Sequence, residues 1–123
     1  MIWITVDEAE AFDRYSILWA KYMNGLGRAS IPQLEREICA AIPNWREVGE
    51  SPEYRELLKA NAAVFDAIEL AAEDKISARE VQVRNHRRFL AKKALQERFW
   101  PNNPISEVKT PAAMEVDTPA AKC

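Results

Sequence analysis

The stretch Ser77–Pro101, SAREVQVRNHRRFLAKKALQERFWP, decides the fold of this 123-residue chain. Both of its ends are punctuated. Ser77 followed three positions later by Glu80 is a capping box, in which side-chain oxygens satisfy the amides that a helix start leaves bare. Pro101 cannot continue a helix, because its ring removes the amide hydrogen and blocks the preceding turn. No glycine or proline interrupts the interval, so it reads as one long helix running to about Trp100. At about 100° per residue, Val81, Asn85, Arg88, Lys92, Leu95 and Phe99 fall on one stripe. Three polar side chains are therefore bracketed by apolar ones on the face a core would use. Arg84, Arg87 and Lys93 fall elsewhere and read as solvated surface.

Three shorter helices are expected upstream. Thr5 with Glu8 opens the first, whose apolar positions Phe12, Tyr15, Trp19, Tyr22 and Leu26 recur at helical spacing until NGLGR ends it. Ser30 with Gln33, and Pro32 in the first turn, opens a second helix carrying Leu34, Ile38, Cys39 and Ile42, closed by Pro43. Ser51, Pro52 and Glu53 open a third, with the stripe Tyr54, Leu57, Leu58, Asn61, Val64, Phe65 and Ile68. The segment AIPNWREVGESP between the second and third reads as an irregular linker. The opening MIW fits either a short strand or a cover over the end of the helices. The expected fold is thus all-α: a small four-helix bundle over residues 1–100, followed by an extended or disordered Pro-containing C-terminal arm over 101–123. That arm, PNNPISEVKTPAAMEVDTPAAKC, has four prolines, few large apolar groups and no helical period, so it needs a partner to hold it. A second copy of the chain is the expected holder.

Three glycines leave little turn material for a sheet, and 123 residues suffice for one modest core. The N-terminus turns acidic at once and no stretch is long and apolar enough to span a bilayer, so a cytoplasmic protein is expected, or a virion component if phage-encoded. Cys39 and Cys123 have no metal-ligand spacing; Cys39 reads as a small buried hydrophobe. No metal and no cofactor is expected. The charge is segregated: residues 1–74 sum to −7, residues 75–98 to +6 and the remainder to −1. Either the basic helix packs against its acidic neighbours, or its face meets an anion. Nucleic acid is disfavoured, since a sequence pI near 5.5 opposes nonspecific phosphate attraction.

Asn61 at the centre of an apolar stripe mirrors the oddity of the last helix, because a core amide is costly unless paired. The two faces suggest a shared polar cluster. It is either a register-fixing network or a ligand site in which Arg88 and Lys92 take the charge of a phosphate or carboxylate and Asn61 and Asn85 orient it. Arg79 either extends the site or pairs with Glu73 or Asp74. His86 beside Arg87 reads as an exposed polar residue, and no catalytic residue is assigned: there is no His–Cys pair, no phosphate loop, and no acid–base spacing. Trp19 reads as core, while Trp45 and Trp100, at helix ends, read as covers of the helices or of an interface.

The motifs DRYSILWAK (13–21), NAAVFDAIE (61–69) and REVQVRNHRRFLAKKAL (79–95) together resemble an uncharacterised family of small helical proteins of bacteria and phages. The resemblance implicates Asp13, Arg14, Ser16, Lys21, Asn61, Asp66, Glu69, Arg79, Asn85, Arg88 and Lys92. It brings no established activity. Phe65 stands where that family often has Trp, and the proline-containing tail departs from its pattern. The functional expectation is a non-enzymatic, homo-oligomeric assembly or interaction protein, a component of a phage particle or phage-encoded complex, that uses its C-terminal arm, with the alternative of a binder of an anionic small molecule such as a nucleotide signal on the polar face of the last helix.

Overall fold

The computed structural model describes residues 6–27 and 30–103. The readings that fall on Thr5, on MIW and on the arm beyond Asn103 lie outside the described residues. The described chain is helical, in the order α1 (Glu8–Met23), α2 (Ile31–Ala41), α3 (Trp45–Gly49), α4 (Pro52–Ala72) and α5 (Ala78–Phe99). The all-α expectation holds, with five helices rather than four. The additional one, α3, forms inside the segment read as an irregular linker. It is a single turn and a half, too short to show a period, and follows directly on the turn after α2.

Two caps stand where sequence placed them. The Ser51 side chain accepts from the Tyr54 amide at the start of α4, and the Ser77 side chain accepts from the Glu80 amide at the start of α5. Two differ. Asp7, not Thr5, caps α1, taking the Glu10 amide at 2.8 Å. Ser30 occupies the cap position of α2, but its side chain makes no capping bond; its φ and ψ are already helical, which turns the oxygen away from the amides it would serve.

Helix directions follow from cross-helix pairs. Asp66 meets Arg84 and Glu53 meets Arg98, so α4 and α5 run antiparallel across a short turn in which Asp74 takes a positive φ of 57°. Phe12 packs on Tyr54 and Ser16 bonds to Asn61, so α1 runs parallel to α4. α2 folds back along α1, with Tyr15 reaching Glu35. The core where these helices meet is Phe12, Ile38, Ile42, Val48, Tyr54, Leu57 and Leu95. Trp100 closes one end by stacking on Phe12 at 6.1 Å, and Asn103 then donates to Glu8. The first three residues after Trp100 thus fold back onto α1.

Three sequence readings are corrected. Cys39 is exposed, because Ile31, Leu34, Ile38 and Ile42 already form the inward row of α2 and Cys39 is rotated by about 100° from Ile38. Tyr22 and Leu26 continue the core stripe of α1 in sequence but stand exposed, as does Ile68 on α4. Arg84 is no free surface cation: it is pinned to Glu80, to Asp66 and to the Ala63 carbonyl. No described helix is long and apolar enough to cross a membrane.

Candidate functional site

Asn61 and Asp13 form the centre of the polar cluster. Asn61 is at the middle of α4, on the side facing α1, and its amide nitrogen donates to Asp13 Oδ1 at 2.9 Å and to Ser16 Oγ at 2.6 Å. Ser16 in turn donates to the Asp13 carbonyl at 2.7 Å. The core amide therefore has its partners, which is the condition for an Asn to sit among apolar neighbours. From α5, one turn apart, come the two cations. Arg88 donates to Asp13 Oδ2 at 3.1 Å and to Asn85 Oδ1 at 3.2 Å. Lys92, with only 4% of its side chain exposed, donates to Glu10 at 2.6 Å and stands 3.9 Å from Asp13 Oδ2. Glu10 also receives Arg14 at 3.3 Å from the surface.

Electrostatics follow from this geometry. Two carboxylates of α1 face two cations of α5, so those four charges cancel. Burial pushes the Asp13 carboxyl above its usual range, outweighing Asn61, Arg88 and Lys92, which each pull it down. A single buried acid thus carries a desolvation cost that its neighbours offset only in part. An incoming anion would have to compete with Asp13 and Glu10 for the donors already bonded to them.

The structure gathers Asp13, Ser16, Asn61, Asn85, Arg88 and Lys92 into one network across α1, α4 and α5. It does not bring in the rest. Arg14 touches the network's rim through Glu10, Asp66 pairs with Arg84, and Arg79, Lys21 and Glu69 are exposed. Arg79 pairs with neither Glu73 nor Asp74 among the described residues; Glu73 is taken by Lys75. His86 is exposed and lies flat against Phe89. Glu10 was the member that sequence reasoning missed. Its signal was there: Glu10 and Asp13 are three apart on α1, as Arg88 and Lys92 are four apart on α5.

A second feature lies two turns along. Ser16 bonds to Asn61, and seven residues further on, toward the C-terminal ends of these parallel helices, are Met23 on α1 and Ile68 on α4. Both are 58% exposed, and Tyr22 and Leu26 are exposed beside them. The buried residues before them, Ala20 and Ala67, are small. Among the described residues no group of His, Cys, Asp or Glu is arranged to hold a metal ion.

Fold and network together define a small helical protein whose last helix is locked to its first by buried ion pairs. No family model matches the chain, and no curated protein or solved structure matches it.

Proposed function

We propose that this is a non-enzymatic interaction protein that assembles with copies of itself, using the open end of the α1–α4 interface. The observation that carries this reading is the apolar end itself. Scattered apolar side chains are ordinary on a surface, but of the five large hydrophobics exposed among the described residues, Tyr22, Met23, Leu26 and Ile68 share one end, with only Leu90 elsewhere. They continue the core stripes of two helices toward the C-terminal ends of α1 and α4. A second copy fits the charges as well as the shape. Lys21 and Glu69 flank the end, both exposed and neither in an ion pair among the described residues. A two-fold contact would set Lys21 of one copy against Glu69 of the other.

The polar network serves this reading as scaffold, holding α1 and α4 in the register that presents Met23 and Ile68 together. The alternative, an anionic small molecule such as a nucleotide signal held by Arg88, Lys92, Asn61 and Asn85, draws less support, since those donors face Asp13 and Glu10. Kinship with the small helical proteins of bacteria and phages, and a place in a phage particle or phage-encoded complex, belong to the same proposal and rest on the sequence motifs alone.

Sedimentation velocity tests the reading at concentrations on the order of 100 μM, where even a weak specific interface is occupied. The native chain is expected to be oligomeric and Met23→Glu/Ile68→Glu monomeric with unchanged helicity, while Leu90→Glu stays assembled. A monomeric native chain, or assembly that survives the double substitution, overturns it. A chain ending at Asn103 measures the share of the arm.

A further inference from the structure

On the opposite side of α1 from the network lies a cleft of about 390 Å³, bounded by α1, α2, α3 and α4. Its size is that of a small-molecule site. Five aromatic rings line it: Phe12, Tyr15, Trp19, Trp45 and Tyr54. Their mutual packing is edge-on or offset, with Tyr15 against Trp19 at 6.3 Å and 88° and Phe12 against Tyr54 at 5.6 Å and 73°. The arrangement gives walls of ring face and ring edge rather than an aliphatic floor.

The polar groups of the cleft have one dominant sign. Glu35 and Glu50 line it against a single cation, Arg46. Glu35 is fixed in orientation by the Tyr15 hydroxyl, which donates to it at 2.5 Å. Arg46 lies with its guanidinium 4.8 Å from the centre of the Trp45 ring, so one wall already carries a flat cation on its face. Tyr54 lines the cleft while only 6% exposed, and its hydroxyl, shielded from water, has no hydrogen-bond partner among the described residues. A buried hydroxyl without a partner is costly and uncommon.

From these observations we infer that the cleft is a binding site for a small organic cation with a flat or apolar body, such as an amidinium or an aryl-substituted ammonium. The rings take the body and attract the positive charge through their faces. Glu35 and Glu50 supply the counter-charge. Anions are disfavoured by the same two carboxylates. Met23 and Ile68 of the self-assembly surface do not line the cleft, and the two meet only where Trp19 packs edge-on against Tyr22 at 5.5 Å.

Three probes of one shape and different charge test the assignment on the full chain: benzamidine, benzyl alcohol and benzoate. Trp19 and Trp45 line the cleft, so intrinsic fluorescence reports occupancy. Benzamidine is expected to give a saturable change, with benzyl alcohol and benzoate each weaker by about tenfold or more, the scale of a cation on desolvated rings. Glu35→Gln/Glu50→Gln, both at exposed positions, is expected to weaken benzamidine by about tenfold while leaving the circular dichroism spectrum unchanged. The assignment is overturned if benzamidine fails to saturate, if either companion probe binds as tightly, or if the double variant binds benzamidine as the native chain does. The comparison among probes uses only the native protein, so it decides the question even if the variant does not fold.

Discussion

Asp13 is the residue on which most of the interior turns. It sits between Asn61, Arg88 and Lys92, yet burial still holds its carboxyl above the ordinary value of 3.8. A carboxyl raised on folding binds its proton more tightly in the folded chain than in the unfolded one. Its contribution to stability is therefore fully present below the unfolded value and is lost as pH rises through the folded one. Arg88 opposes that loss. Removing it leaves Asp13 buried without its nearest cation, so Arg88→Ala should cost about 3 kcal/mol at neutral pH, as expected for breaking one side of a buried pair. As the pH falls through the raised Asp13 value and the carboxyl takes up its proton, the cost should shrink. Urea unfolding of both proteins across this range measures it; a cost that does not change with pH would mean that the pair contributes nothing through charge.

Glu53 runs the other way. Its bond from Arg98 holds it below its usual range, so its contribution is present at neutral pH and fades in acid. Glu53 is on the surface and screened, which is why the native-minus-variant difference, rather than the raw pH profile, isolates Asp13.

Among the elements, the helix starts separate into those that bond and those that only look as if they should. Ser51 does two things at once: it accepts from the Tyr54 amide at 3.1 Å and donates to the Val48 carbonyl at 2.7 Å, joining α3 to α4 inside the protein. Ser77 makes the cap bond alone, on the surface. Ser30 makes none. Thermal unfolding should rank the three alanine variants accordingly, with about 2 kcal/mol lost at Ser51, about 1 at Ser77 and near zero at Ser30.

The same elements show what was legible in the sequence. Caps at Ser51 and Ser77 could be read because their chemistry is local, three residues wide. The start of α1 was read at Thr5 with Glu8, whereas Asp7 makes the bond, two residues on and to the Glu10 amide. Helix α3 was missed because five residues carry no period. The Asn61 anomaly pointed to a polar cluster on α4 and α5, but Glu10 and Ser16 complete it from α1, and which turn of α1 faces them depends on packing. The stripe of α1 gave no sign of where its cover would stop. Phe12 is buried and Tyr22 exposed on what sequence alone shows as one face. Nor could spacing bring Trp45 and Tyr54 to Trp19, since the cleft they share is made where four separate helices, α1 to α4, come together.

At the scale of the whole molecule, charge and apolar surface divide the labour. The acidic first 74 residues and the basic α5 are drawn together by Arg84 with Asp66, Arg88 with Asp13, Lys92 with Glu10, and Arg98 with Glu53, four ties spread along the length of α5. Of the two readings of the basic helix, packing against acidic neighbours describes these four ties. Among the described residues, exposed apolar side chains at Met23 and Ile68 and the aromatic cleft beyond α1 are the surfaces on which the two proposals rest.

The ties between α1 and α5 join residues 75 and 82 positions apart. During synthesis, Asp13 leaves the ribosome long before its cations do. Until α5 emerges, the nascent chain has a surplus of negative charge and Asp13 lacks its cations, which weakens the closing of α1 on α4. Packing of α1 on α4 should therefore become complete only once α5 is present. A released chain ending before Ala78 should remain cleavable by trypsin at Arg55 and Lys59, and one ending at Asn103 should resist. Resistance of the shorter chain would show that α1 and α4 close without the last helix.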